Sequence, residues 1–362
     1  MYSLTLEINQ KCNLKCKYCY LGEKSGAKMD IQTAEKAIDR AFKKVKIHKD
    51  RKLWIDFVGG EAFLDFRMIE TLVDYAKKKN RGNGYELLFS VTTNATIFSQ
   101  KIVDFLIDNA FALKVSIDGD KEINDRNRVS WEGYSVHDRI LQNLSYIRQF
   151  EERTGRCVQV TNVITTNNYE SYYDSLVYLT RELGFKMIDT AVDLSLPWTE
   201  KEMSILAEEI KRSFTYFIEC AKEKKGFYWE FAEKVVKFRE PPEDTVKNKF
   251  YSCGAGIISA YVRTDGGIFA CPGNLDPTVK LGDLDEGLHK DKIQELKEFD
   301  GIQNEICQEC DIAEYCVERS CIMQNLAVTG DKNKPAPMFC KMRKLMYEIY
   351  KEHEEIIKCL IM

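Results

Sequence analysis

Apolar positions along the first half of the chain switch repeatedly between two periods. The segment Tyr2–Asn9 places Leu4, Leu6 and Ile8 on one side at period two, the mark of a strand. From Asp30, a helix-capping residue type, apolar residues recur at Ala34, Ala37, Ile38, Ala41 and Val45, the spacing of one helical face. Residues 53–58 form a compact apolar run closed by Gly59-Gly60, as expected of a strand covered on both faces in a parallel sheet. The cycle then repeats, predicting helices near 66–79, 101–109, 135–150 and 172–183 and strands over 87–92, 112–117, 158–164 and 186–191. About six β/α units follow, fewer than a closed eightfold barrel needs. The predicted fold is therefore α/β, a partial (β/α)6 TIM-like barrel over 1–195. Beyond it, Ile205, Ile210, Phe214 and Phe217 make one helical stripe and Trp229, Phe231 and Val235 another, predicting a helical bridge over 196–247 whose stripes serve packing.

Composition narrows the class. At 362 residues with 44% apolar content, the chain suits a large α/β unit plus an accessory domain with a sizeable core. A formal net charge of -4 shows no basic surplus, so nucleic acid is not a predicted partner. No apolar run approaches a membrane span and the amino terminus lacks a signal segment, so a cytoplasmic protein with no membrane partner is expected. In that reducing compartment the 13 cysteines argue for metal ligation or catalysis over disulfides. The terminal Cys359-Leu-Ile-Met has the form of a prenylation box, but the tail of a helix over 342–362 is the preferred reading.

Chemistry concentrates first in Cys12-Asn-Leu-Lys-Cys16-Lys-Tyr-Cys19, directly after the opening strand. A 4Fe-4S cube takes one thiolate per iron, so three close cysteines cap three corners and leave one iron open to a ligand. A closed zinc site would want a fourth protein ligand, and the next cysteine is Cys157. CxxxCxxC with Tyr18 before the last cysteine resembles the signature of the radical S-adenosylmethionine enzymes. Further strand ends fit the resemblance. Gly59-Gly60-Glu61 looks like the family's GGE segment, which holds the methionine amino group of S-adenosylmethionine. Asn94 ends the third strand, while Ser116, Asp118 and Arg128 look like the family's contacts to the cofactor's ribose and carboxylate. Where many relatives have His, this chain has Asn124.

The last third is rich in cysteine: Cys253, Cys271, Cys307, Cys310, Cys316, Cys321 and Cys340. Their spacing resembles the SPASM extension of peptide-modifying radical enzymes, assigned here to 248–341, with four residues between Cys316 and Cys321 where the usual pattern has three. The resemblance implies an inner auxiliary cluster on Cys253, Cys271 and Cys321 and an outer one on Cys307, Cys310, Cys316 and Cys340, hence three 4Fe-4S clusters with S-adenosylmethionine as cofactor. Ser259 lies about where fully ligated relatives supply another cysteine, so the inner cluster is short by one thiolate. A substrate thiolate, Asp, Glu, water or another Cys would fill that corner. Two structural zinc sites are the competing account of these cysteines.

The function the resemblance implies is reductive cleavage of S-adenosylmethionine to a 5'-deoxyadenosyl radical, which takes hydrogen from a peptide substrate. The favoured outcome is a thioether from cysteine sulfur to carbon in a ribosomal precursor peptide. Anaerobic sulfatase maturases, which make formylglycine, share the architecture but carry Asp directly after the cysteine matching Cys271, where this chain has Pro272. A zinc-scaffolded binding module is the non-catalytic alternative. The expected partners are the precursor and an electron donor such as flavodoxin or ferredoxin; because the first strand begins at Tyr2, leader recognition is expected to fall to a separate protein or to surfaces of the barrel and SPASM domain. No catalytic base is assigned.

Overall fold

The structure, a computed structural model, describes residues 1–22, 24–239, 253–298, 304–316 and 321–360, excluding the side chains of 359 and 360. The bridge boundary expected at 247/248 lies outside these residues, as does the end of the Cys359-Leu-Ile-Met tail. The strands in chain order are β1 (Tyr2–Asn9), β2 (Lys52–Gly59), β3 (Glu86–Thr93), β4 (Ala112–Ser116), β5 (Gln159–Ile164), β6 (Met187–Val192), β7 (Tyr228–Trp229), β8 (Ser259–Val262), β9 (Gly267–Phe269), β10 (Gly282–Asp283) and β11 (Gly287–Leu288). Two compact units result, one of residues 1–117, 127–158 and 254–296, the other of 118–126, 159–253 and 297–362.

In the first unit β1, β2, β3 and β4 are neighbours in that order, all parallel. Leu4, Leu6 and Ile8 of β1, with Leu53, Ile55 and Phe57 of β2, are essentially inaccessible. The helix Ile31–Val45 lays Ala34, Ala37, Ile38, Ala41 and Val45 into this core, and Asp30 caps it by accepting the Thr33 N–H at 2.9 Å. The predicted helix 135–150 is two, Val136–Gln142 and Leu144–Thr154. Asn143 separates them, its side-chain amide donating to the Ala95 carbonyl at 3.0 Å, a bond that periodicity does not reveal. On the other side of β1 lies β8, parallel to it with Ser3 opposite Ser259, followed by the antiparallel β9, β10 and β11. A four-residue strand carries too little pattern to announce itself.

The second unit holds the parallel strands β5, β6 and β7. Its long helix Glu200–Lys222 opens with a capping box between Thr199 and Glu202. The predicted helix 172–183 starts as Tyr172–Val177 and widens to a π-helical turn over Tyr178–Glu182. Phe214 and Trp229 of the two predicted stripes meet at 6.2 Å between ring centres, so both stripes do serve packing. The carboxyl-terminal helix Pro337–Leu360 joins them: His353 lies 5.3 Å from Phe214 and Lys211 pairs with Glu352 at 2.8 Å. Among the described residues no helix is long and apolar enough to cross a membrane.

Candidate metal centre and cofactor site

Cys12, Cys16 and Cys19 leave the carboxyl end of β1 on a loop, each half-buried and outside any disulfide. Residues 14–17 run as a short ladder against 127–130. Leu14 bridges Ser130, the Lys15 N–H donates to Val129 at 2.7 Å, and the Lys17 N–H donates to Asn127 at 2.9 Å. Side chains alternate along such a segment, so Leu14 is buried, Lys15 and Lys17 are exposed, and Cys16 faces away from the two lysines. The Cys12 sulfur accepts from the Leu14 N–H at 3.4 Å and the Asn94 amide at 3.8 Å. Burial pushes the Cys12 thiol up, opposed in part by the Lys24 ammonium. Arg128, only 4% exposed, donates to the Tyr18 hydroxyl at 2.8 Å, tying the arginine singled out in the sequence to the residue before Cys19.

Gly59 and Gly60 are required by the chain itself. A Cβ on Gly59 would stand 2.4 Å from the Asn9 carbonyl oxygen, and one on Gly60 would stand 2.3 Å from that of Lys11. With no side chains in the way, the Gly60 and Glu61 N–H groups donate to Asn9 and Lys11, each at 2.9 Å, and hold the end of β2 flat against the stem of the cysteine loop. The Glu61 side chain turns inward. Its carboxylate accepts from Thr93 Oγ1 at 2.8 Å, the Asn94 N–H at 2.7 Å and the Phe63 N–H at 3.0 Å. Burial raises its pKa against the pull of those donors. The Asn94 amide donates to Asn13 at 2.9 Å, and Asn13 donates to Thr96 Oγ1 at 2.8 Å and Tyr134 at 2.9 Å. One network therefore joins the cysteine loop, the end of β2 and the end of β3, with Asn13 a member that sequence reasoning did not single out.

Ser116, half-buried, ends β4. Asp118 belongs to the second unit, where its carboxylate accepts the Val163 N–H at 3.1 Å and its own N–H donates to Asn124 Oδ1 at 3.2 Å. A buried carboxylate that the sequence did not flag is Glu7 on β1. It accepts from Gln10 at 2.8 Å, Tyr261 at 2.7 Å and the Thr264 N–H at 3.3 Å, so it fastens β8 to β1. Its slot in the alternating pattern reads as an ordinary polar position.

In the second unit Cys307, Cys310, Cys316 and Cys340 line one cavity of about 340 Å³, with Ile312 and Phe339 among its walls. Burial, then the three neighbouring cysteines, push the Cys340 thiol to about 11. Arg343 and Lys344 line the same cavity, opposite in sign to a thiolate-ligated cluster, and Lys344 also pairs with Asp311 at 2.9 Å. Four thiols, apolar walls and two cations fit an iron–sulfur cube. Among the described residues no three His, Cys, Asp or Glu groups converge tightly enough to share a single metal ion. Of the remaining cysteines, Cys271 lies in the first unit and accepts the Gly273 N–H at 3.4 Å. Cys253, exposed, and Cys321, which begins the helix Ile322–Thr329, lie in the second.

Comparison with known proteins bears on the amino-terminal part first. Residues 5–140 match the model of a 4Fe-4S single cluster domain. An uncharacterized protein of Methanocaldococcus jannaschii is 27% identical over 81% of this chain and 91% of its own length. The radical SAM cyclopropyl synthase TigE of Paramaledivibacter caminithermalis is 19% identical over 87% of this chain and 66% of its own. The cysteine-type anaerobic sulfatase-maturating enzyme of Clostridium perfringens is 23% identical over 84% of each chain. Among solved structures, anSMEcpe with bound AdoMet and Cp18Cys peptide superposes with a TM-score of 0.80 at 18% identity, over 99% of this chain and 98% of that one. Streptococcus suis SuiB bound to precursor peptide SuiA gives 0.65 at 16% identity, over 94% and 75%. The chain is thus similar in sequence to a radical SAM enzyme and to sulfatase-maturating enzymes, and it shares the fold of enzymes solved with bound AdoMet.

Proposed function

We propose that this radical enzyme matures a ribosomally made peptide by joining a cysteine sulfur to a carbon. The observation that carries the choice is Pro272 directly after Cys271: its ring offers no base where the resembling sulfatase maturases carry Asp. Cys12, Cys16 and Cys19 would hold the radical-generating cluster, and Gly59, Gly60, Glu61, Asn94, Ser116, Asp118 and Arg128 the S-adenosylmethionine. Together these groups would supply a 5'-deoxyadenosyl radical, the hydrogen-abstracting agent. The chain's own residues brace that chemistry. Glu61 clamps the end of β3, the two glycines seat β2 against the cysteine loop, and Arg128 steadies Tyr18 beside Cys19. Cys307, Cys310, Cys316 and Cys340 would hold an outer auxiliary cluster, while Cys253, Cys271 and Cys321 with Ser259 as an inner, under-ligated set rest on the resemblance. The division at 195, 247 and 341 and the cytoplasmic setting belong to the same reading.

Formylglycine formation is the second reading, favoured by the 84% mutual coverage with the Clostridium perfringens maturase. Anaerobic reconstitution with candidate precursor peptides, and in parallel with a sulfatase-derived Cys peptide, separates the two. A thioether product loses two hydrogens and resists thiol alkylation. An aldehyde that reacts with a hydrazide on the sulfatase peptide, with the precursors unchanged, would overturn the thioether assignment.

A further inference from the structure

The chain is acidic overall at -4, yet residues 11–28 hold five lysines, Lys11, Lys15, Lys17, Lys24 and Lys28, and a single acid, Glu23. Two of the five are engaged: Lys24 donates to the Leu14 carbonyl at 2.6 Å, and Lys28 pairs with Asp65. Lys15 and Lys17 are exposed, and among the described residues neither has a carboxylate partner. The ladder to 127–130 turns both outward from the extended segment whose other side presents Cys16. Beside Lys15 stands Trp131, 59% exposed, its ring centre 5.1 Å from the Lys15 ammonium and its backbone N–H donating to the Asn13 carbonyl at 3.4 Å. A large indole left in solvent beside a cation has the composition of an interface anchor rather than of idle surface.

We infer that this face, centred on Lys15, Lys17 and Trp131, is the docking surface for a small acidic protein that carries one electron. The inference rests on the radical reading, which requires an electron to reach the loop of Cys12, Cys16 and Cys19. Electron transfer weakens steeply with distance, and a carrier seated on Lys15 and Lys17 is separated from Cys16 by one strand thickness. Charge selects the carrier: a positive patch on a negative protein draws in an acidic partner and orients it, and rewards a neutral one with nothing. Trp131 supplies the apolar contact that keeps such a complex together once salt screens the charges.

The test uses the anaerobically reconstituted holoenzyme, reduced flavodoxin as the protein donor and dithionite as a small donor that needs no docking. Two readouts are taken, 5'-deoxyadenosine formation and the flavodoxin Kd from fluorescence anisotropy. In the wild type the Kd rises as ionic strength passes about 0.1 M, where the screening length is about 10 Å. The double substitution Lys15→Glu and Lys17→Glu is expected to raise the Kd and to slow flavodoxin-driven cleavage by at least about tenfold, leaving the dithionite rate within about twofold. Trp131→Ala is expected to raise the Kd with its salt dependence unchanged. An unaltered Kd in the double variant places the donor elsewhere and sinks the proposal, as does an equal loss with dithionite, which would make the lysines supports of the cluster loop. No wild-type cleavage with dithionite would count against the radical reading, while the Kd comparison still decides the docking.

Discussion

Gly60→Ala puts the seat of the cysteine loop under direct test. The added Cβ would stand 2.3 Å from the Lys11 carbonyl oxygen, 2.6 Å from its carbon and 2.8 Å from the Gln10 oxygen, all backbone atoms that cannot swing aside. Reaching ordinary contact at 3.4 Å requires the β2 end and the loop stem to part by about 1.1 Å, the difference of the two distances. That displacement stretches both 2.9 Å bonds from Gly60 and Glu61 to the stem beyond useful length. Two backbone bonds at about 1 kcal/mol each, plus about 1–3 kcal/mol of overpacking, give a loss of about 3–5 kcal/mol. Such a loss is a large share of a typical folding free energy of about 5–15 kcal/mol. Anaerobic urea unfolding measures it, and iron per chain after reconstitution reports whether the loop still gathers its thiols. Gly226→Ala is the control, because its Cβ would meet only the Ala221 Cα at 3.8 Å, and it should be neutral or slightly stabilising. A Gly60→Ala protein with wild-type unfolding midpoint and iron content would refute the close approach of β2 to the loop.

Other perturbations act at separate points. Cys310→Ser removes one of the four thiols around the 340 Å³ cavity and should lower iron by about four per chain, counted by colorimetric analysis, with the amino-terminal cluster retained. Glu61→Gln replaces one oxygen of a carboxylate that accepts three bonds by an amide that can only donate, and should cost about 1–3 kcal/mol in urea unfolding. Tyr261→Phe takes a 2.7 Å donor from the buried Glu7 carboxylate and should cost a similar amount, whereas Tyr261→Phe combined with Glu7→Gln should cost less than the two singles together. Burial against Phe214, with Lys222 nearby and Glu352 opposing, holds the His353 pKa below its usual value. Its neutral form is thus favoured on folding, so the contribution is complete above the unfolded value of about 6.5 and is lost as pH falls through the folded one. His353→Phe should therefore flatten the decline in unfolding midpoint between pH 7 and 5, and an unchanged slope would remove His353 as its source.

The six strands of the β/α cycle were legible because each is bounded by glycine or polar residues and followed by a helix with a clear stripe, as Ala34, Ala37, Ile38, Ala41 and Val45 illustrate. What escaped depends on contacts distant in sequence. Ser259–Val262 becomes a strand because β1 offers it an open parallel edge and Glu7 fastens Tyr261 there, a pairing between residues 254 positions apart. The break at Asn143 arises from a bond to Ala95 across 48 residues. Local periodicity carries neither signal.

The site divides along a similar line. Cysteine spacing announced the thiols, but it could not show that four of them surround one cavity or that Arg343 and Lys344 place positive charge beside it. The GGE segment shows the difference most clearly. From sequence, two glycines before an acid suggest backbone drawn close to a ligand, with the acid free to meet it. In the structure the backbone that comes close is the stem of the cysteine loop, and three donors from the chain already occupy the acid, out of about four acceptor sites on a carboxylate. The segment is thus a brace before it is a contact: it fixes the carboxyl ends of β1, β2 and β3 against one another so that Cys12, Asn94 and the loop between them keep one geometry. The radical chemistry proposed for this site would need that rigidity, because a loosely held substrate or cofactor would let the radical take hydrogen from whatever lies nearest, the protein included.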